Sequence, residues 1–250
     1  MSKADNLTDF LKDVANAIRE KKGNTSLINP QNFSAEIASI QTGGGSGSDG
    51  DITALINGTL SHLSSSVTTI RQYLFRGATA LKSVDLPDVV KIEGNAFYGC
   101  GLVSAEFPKC TSIDAYAIAS NTQLVSLSLP ILVTVQSNGL RDNSVLAEVN
   151  LPKCTALGSN ALRNCKALAR IDLPSANSIA SYAFGGCSSL TTLILRSESV
   201  CALGAVSALD STPIASGSGY IYVPSALVSE YKAAPNWLNF EAQIKTIEEL

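Results

Sequence analysis

Prolines recur through the middle of this chain at a nearly fixed interval, and that interval constrains the fold more than any other feature. Pro87, Pro108, Pro130, Pro152 and Pro174 are separated by 21, 22, 22 and 22 residues, and one further step of 22 reaches Arg196. Ahead of each lies the pattern apolar-x-x-apolar-x-apolar. It reads Leu81, Val84, Leu86; Leu102, Ala105, Phe107; Leu124, Leu127, Leu129; Leu146, Val149, Leu151; Leu168, Ile171, Leu173; and, without a proline, Leu190, Leu193, Leu195. The end of each phrase alternates in and out, as a half-buried strand does. An apolar pair precedes each phrase, as in Val89 and Ile92, and a small-then-bulky couple such as Ala96-Phe97 or Ala161-Leu162 falls between. Such a unit is too short to bury its own apolar face, but stacked units join their faces into one continuous core. Coils one strand spacing apart, roughly 4.8 Å, give six coils a length on the order of 30 Å. The proline cannot donate a ladder hydrogen bond, so it marks where each strand stops. The prediction is a β-rich repeat solenoid of about six 22-residue coils over residues 52–196.

The phrases VVKIEGNAFYGCGLVSAEFP and ANSIASYAFGGCSSLTTLIL follow V-x-x-I-x-x-x-A-F-x-G-C-x-x-L-x-x-(V/I)-x-L-P. In this they resemble the BspA-like leucine-rich repeat, and the resemblance covers roughly residues 52–223. It implies a right-handed solenoid with a sheet on one face. The 88–108 unit is one residue short after Cys100, and units 109–130 and 131–152 lack the Ala-Phe couple and the cysteine.

Six cysteines are an even number and could form a disulfide framework. In the repeat alignment, however, Cys100, Cys165 and Cys187 share a slot that Asn121 and Asn143 fill in other coils. Cys110 and Cys154 fill a slot taken elsewhere by Val89, Leu132 and Ala176. Small buried hydrophobes or turn residues are therefore expected. A Cys165–Cys187 bridge between neighbouring coils stays open. No C-x-x-C spacing supports a metal site.

The two ends do not follow the repeat. Residues 1–42 carry Leu7, Phe10, Leu11, Val14 and Ile18 at helical spacing, and a shorter helix is expected after Pro30. This α-helical module either packs on the solenoid or serves attachment and oligomerisation. The Gly/Ser linker 43–51 favours the second use, because a simple cap needs no tether. The segment NAIREKKGNTSLINPQNFSAEIASI also resembles N-terminal segments of phage and prophage structural proteins, which implies attachment to a virion component. At the other end, residues 197–250 are expected to form an α/β cap, with a strand at Tyr220–Val223 and a helix opened by Pro224. The sequence YIYVPSALVSEYKAAPNWLNF resembles the closing segment common in the same repeat family. Tyr220, Tyr222, Tyr231 and Trp237 either pack that cap or form a sugar-binding platform.

Composition narrows the chemistry. Charged residues make only 16% of the chain, because apolar slots and small turn residues occupy most of each coil. A net charge of −3 argues against a nucleic-acid partner, which needs clustered Lys and Arg. The single histidine, His62, makes the common His-based catalytic and metal arrangements unsupported. A Ser/His pairing with the serines around it remains conceivable. No G-x-S-x-G, P-loop or H-E-x-x-H motif is present. Strand alternation instead places Ser83, Asp85, Ser104, Glu106, Ser126, Ser128, Glu148, Asn150, Arg170 and Asp172 on one sheet face. That face is either plainly solvated or a partner-binding surface. Acidic catalysis would need a cleft that raises one carboxyl pKa. No catalytic, cofactor or metal residues are expected, and no membrane insertion, since no apolar run is long enough. MSKADNLTDFLKDV lacks the uninterrupted apolar core of a secretory signal.

These features lead to one expectation and one alternative. The first is a non-enzymatic virion protein, attached to a tail or capsid component through residues 1–42. Its solenoid would display a surface for a host protein or glycan, and a homotrimer would suit a fibre. The alternative is a leucine-rich repeat adhesin of the bacterial cell surface, or a secreted one.

Overall fold

The computed structural model describes residues 67–250 and the backbone of the strand His62–Ser64. The expected helical module 1–42, with Leu7, Phe10, Leu11, Val14 and Ile18, and the linker 43–51 lie outside the described residues, as does the side chain of His62.

Each coil as far as Ala202–Leu203 contributes one long and one short strand, and all neighbouring strands pair in parallel. The long strands begin with His62–Ser64, Ser83–Asp85, Ser104–Glu106, Ser126–Ser128 and Glu148–Asn150, and continue with Arg170–Leu173, Thr192–Leu195, Tyr220–Val223 and Ile244–Thr246. They form successive ladders of two, three and four strands on one side of the molecule. Seven two-residue strands, from Thr69–Ile70 to Ala202–Leu203, make a single ladder on another side. Ser126 pairs with Glu148, and Ala156 with Ser178, so a 22-residue step returns each residue beside its counterpart. The inward leucines and phenylalanines, such as Leu81, Leu86, Leu102 and Phe107, are buried. Phe75 and Phe97 stack at 5.1 Å, and Phe97 meets Phe107 at 5.8 Å.

The recurrent proline ends the strand for a local reason. Leu86 accepts a hydrogen bond from the Val89 N–H, and the same closure joins Phe107 to Cys110, Leu129 to Leu132, Leu151 to Cys154 and Leu173 to Ala176. Proline thus occupies the second position of a β-turn, where its fixed φ is favourable and its missing N–H is not needed.

Two left-handed residues per coil turn the chain between the strands. The first is Tyr73, Asn95, Tyr116, Asn138, Asn160 or Tyr182; the second, four residues on, is Gly77, Gly99, Ser120, Asp142, Asn164 or Gly186. Between them, the bulky member of each couple donates its N–H to the next coil, as Phe97 does to the Ala117 carbonyl at 2.8 Å. The one-residue-short unit is accommodated at Gly101, where a Cβ would overlap the Thr79 carbonyl oxygen.

The shared Cys/Asn slot has a physical basis that hydrophobicity alone does not supply. Its side chain donates to the carbonyl of the bulky residue in the preceding coil. Cys100 reaches the Phe75 oxygen at 2.9 Å, Cys165 the Leu140 oxygen at 3.4 Å and Cys187 the Leu162 oxygen at 3.1 Å. Asn121 reaches Phe97 at 3.0 Å, and Asn143 reaches Ile118 at 2.8 Å. Thiol and amide are interchangeable there because both are small donors. All six cysteines are free and buried, so Cys165 and Cys187 are not bridged.

The parallel pairing continues after the 22-residue pattern fades at Arg196. The next short-strand step, Ser178 to Ala202, spans 24 residues, and the next long-strand step, Thr192 to Tyr220, spans 28. The segment 197–219, irregular in sequence, holds the strand Ala202–Leu203 and a 3-10 helix, Val206–Leu209. Beyond Pro224 a 3-10 turn, Ser225–Leu227, precedes the α-helix Val228–Ala233. Side chains from this region pair with the open edge of Ala202–Leu203. The Cys201 N–H donates to the Tyr231 hydroxyl at 2.9 Å, Trp237 Nε1 donates to the Cys201 carbonyl at 2.6 Å, and Asn236 Nδ2 donates to Leu203 at 2.7 Å. They occupy the sites that a further strand would use.

Candidate binding groove

Parallel register turns the outward positions of the long strands into two rows. Ser104, Ser126 and Glu148 stand side by side, as do Glu106, Ser128 and Asn150. Ser83 and Asp85 precede these rows on one side, and Arg170 and Asp172 follow on the other. Nine of these ten residues line one open concavity of about 730 Å³; Asp85 is exposed on the same face but outside the lining. Five consecutive coils contribute to it, from Ser83 to Asp172.

The groove is polar but not uniformly charged. Its hydroxyls come from Ser83, Ser104, Ser126 and Ser128, and Asn150 Nδ2 lies 3.4 Å from Ser128 Oγ. Among the described residues Glu106 and Glu148 carry no ion pair. Asp172 is held bidentately by Arg196, at 2.9 to 3.1 Å, so its charge is offset. This pairing raises the Arg196 pKa, chiefly through the hydrogen bond. One residue before the strands, Val103 and Val125 are 43% and 45% exposed, and Ala147 beside them lines the groove. These apolar neighbours escaped the sequence reading, although their 22-residue spacing at an outward place was available.

This geometry suits multipoint binding rather than acid–base catalysis. Glu106 and Glu148 stand two coils apart and in different rows, about 12 Å apart at the backbone, on an open face. A glycosidase acid needs a cleft that raises its carboxyl pKa, and an open face supplies none. The thiols offer no nucleophile either. Burial pushes Cys100, Cys187 and Cys201 up to about 12 and Cys110 to about 11, and it raises Cys154 and Cys165 as well. Among the described residues no three His, Cys, Asp or Glu side chains are placed to hold a metal ion. No helix among them is long and apolar enough to cross a membrane. The four-aromatic sugar platform does not assemble: Tyr231 and Trp237 are buried edge-to-face at 5.5 Å, which leaves Tyr220 and Tyr222 on the outer face.

Comparison with known proteins bears on the repeat. A family model described as BspA type leucine rich repeat region matches in 6 copies, over residues 56–169 and 141–205. No curated protein matches the sequence. A solved leucine-rich repeat protein from Bacteroides ovatus ATCC 8483 is similar in fold, with a TM-score of 0.51 at 20% identity, over 76% of this chain and 55% of that one. A leucine rich cell surface protein from Faecalibacterium prausnitzii A2-165 aligns with a TM-score of 0.40 at 19% identity, over 78% of this chain and 62% of that one. The chain therefore spans between half and two thirds of the length of these two proteins.

Proposed function

The chain belongs to the BspA type leucine rich repeat family, and on that footing we propose that it is a non-enzymatic binding protein of the adhesin type. Its groove engages a host surface protein or glycan, and its setting is the bacterial cell surface or the secreted fraction. The observation that carries this reading is the groove itself. Five coils present serines, an asparagine and two carboxylates without ion pairs across one concave face. A repeat protein gains affinity from such a face by summing modest contacts over many coils.

A paired substitution, Glu106→Lys with Glu148→Lys, tests the groove. It is expected to reduce binding of the purified chain to host cells at least tenfold, whereas Ser178→Lys on the other ladder leaves binding unchanged. Equal binding by all three proteins would remove the groove from consideration. Protease shaving of whole cells tests the setting, with release of solenoid peptides as the expected result.

A second reading, attachment to a tail or capsid component with or without trimerisation, rests on the helical stripe and tether within residues 1–51. Those residues lie outside the described ones, and the family match begins at residue 56. We therefore rank it below the surface reading. Mass spectrometry of purified phage particles distinguishes the two.

A further inference from the structure

The turn edge between the two sheets carries a side-chain pattern that neither the groove nor the core uses. In six coils the residue before the small-bulky couple has φ between 56° and 62°. Asparagine suits that conformation and fills it at Asn95, Asn138 and Asn160. In the other three coils the position holds tyrosine, at Tyr73, Tyr116 and Tyr182, which the left-handed region disfavours. A residue retained against its backbone preference points to a use for its side chain.

The rings have arginine neighbours. Arg76 is exposed, and its guanidinium lies 5.5 Å from the Tyr73 ring and 5.1 Å from the Tyr98 ring. Tyr98 in turn meets Tyr116 edge-on at 6.4 Å. Farther along the edge, Arg163 lies 5.2 Å from the ring of Tyr182, which is 39% exposed. Arg163 also donates to Asn160 Oδ1 at 3.1 Å, which fixes its direction. Stacking uses the face of a guanidinium and leaves its in-plane N–H fork available for a carboxylate. The acids on neighbouring turns are already engaged: Asp142 with Arg141 at 2.9 Å, and Glu93 and Asp114 with Lys91 at 3.4 and 3.5 Å. Arg76, and the N–H groups of Arg163 that do not bind Asn160, therefore stand ready for an external anion.

We propose that this edge, from Tyr73 to Tyr182, is a second binding surface that takes a carboxylated glycan. An acidic peptide would need only the charges. The row instead combines flat phenol rings with asparagine amides, which match the C–H faces and hydroxyls of a pyranose chain. Arg76 and Arg163 sit four coils apart, about 19 Å, so a chain with several acid groups spans them.

The test uses the full chain with three probes: an oligogalacturonate, a neutral galactose oligomer of equal length, and poly-glutamate. Titration is expected to show binding to oligogalacturonate alone, weakening with salt. Tyr73→Asn, Tyr182→Asn and Arg76→Gln are each expected to reduce affinity at least tenfold. The two asparagine variants should keep or raise the melting temperature, since asparagine fits the backbone better. Glu106→Lys in the groove should leave this binding intact. Equal binding of poly-glutamate or of the neutral oligomer, absence of oligogalacturonate binding, or a lowered melting temperature in Tyr73→Asn would each overturn the proposal.

Discussion

Asn143 and Asn121 occupy the same slot one coil apart, and the same substitution is expected to have opposite effects at the two positions. Asn143 is fully used. Its amide donates to Ile118 and Leu140, both at 2.8 Å, and its Oδ1 accepts from the Asn121 N–H at 2.8 Å. Two of those three partners, the Asn121 N–H and the Ile118 carbonyl, have no other hydrogen bond among the described residues. A buried backbone group left unpaired costs about 1–3 kcal/mol. Asn143→Ala therefore loses about 4 kcal/mol. Asn143→Cys keeps a donor for Ile118, as cysteine does in three other coils, and loses about 2 kcal/mol through the Asn121 N–H. Asn121 differs because its Oδ1 is buried without a partner. It follows the shortened unit, and its Nδ2 reaches back 24 residues to Phe97 instead of 25. Asn121→Cys retains that donor and removes the orphaned acceptor, so it should be neutral or stabilising by about 1 kcal/mol. Urea melts of the full chain measure all three, with the exposed Asn177→Ala as a control expected within about 0.5 kcal/mol of the parent. If Asn143→Cys and Asn121→Cys shift stability in the same direction and by the same amount, the donor account of the slot is wrong.

Other perturbations probe the remaining devices. Gly101→Ala should cost about 3 kcal/mol or more, because the added methyl meets the Thr79 carbonyl; inserting one residue after Gly101, which restores the 22-residue step, should recover most of the loss in the same melts. Trp237→Phe keeps an aromatic ring but strands the Cys201 carbonyl, and should cost about 1–3 kcal/mol in urea unfolding. Stability should also fall as pH rises above about 9. The unfolded chain releases thiol protons near that value, while burial holds Cys100, Cys187 and Cys201 protonated to about 12. In that window the unfolded state binds fewer protons than the folded one, so the slope is negative, and each thiol contributes about 1–2 kcal/mol by pH 10.5. A smaller alkaline loss in Cys187→Ser than in the parent confirms the source; an identical loss excludes it.

The solenoid was legible because its inward positions are written in one alphabet: Leu, Ile, Val and Phe at a fixed step, with proline at the turn. Strand alternation was enough to place Ser104 and Glu106 on the outer face, since a parallel in-register sheet preserves that face from coil to coil. What the sequence concealed was the reason for equivalence within a slot. Asn143 and Cys165 look unrelated on a hydrophobicity scale, yet each supplies a short donor to a carbonyl in the coil before. Likewise Asn138 and Tyr182 share nothing but their backbone conformation. Beyond Arg196 the period was lost although the pairing was not, because steps of 24 and 28 residues carry extra chain between strands that still register. The concavity of the groove was invisible as well, since five coils build it together and no one residue does.

Tyr231, Asn236 and Trp237 finish the short-strand ladder through hydrogen bonds to Cys201 and Leu203 alone among its strand and flanking residues. Termination is thus written locally and takes no account of how many coils come before. A duplication of 22 codons between two prolines would lengthen the groove by one strand spacing, about 4.8 Å, and leave the stop intact. A deletion would shorten it by the same amount. The reach of the groove is in that sense an integer, set by the number of coils and independent of the chemistry of its ends.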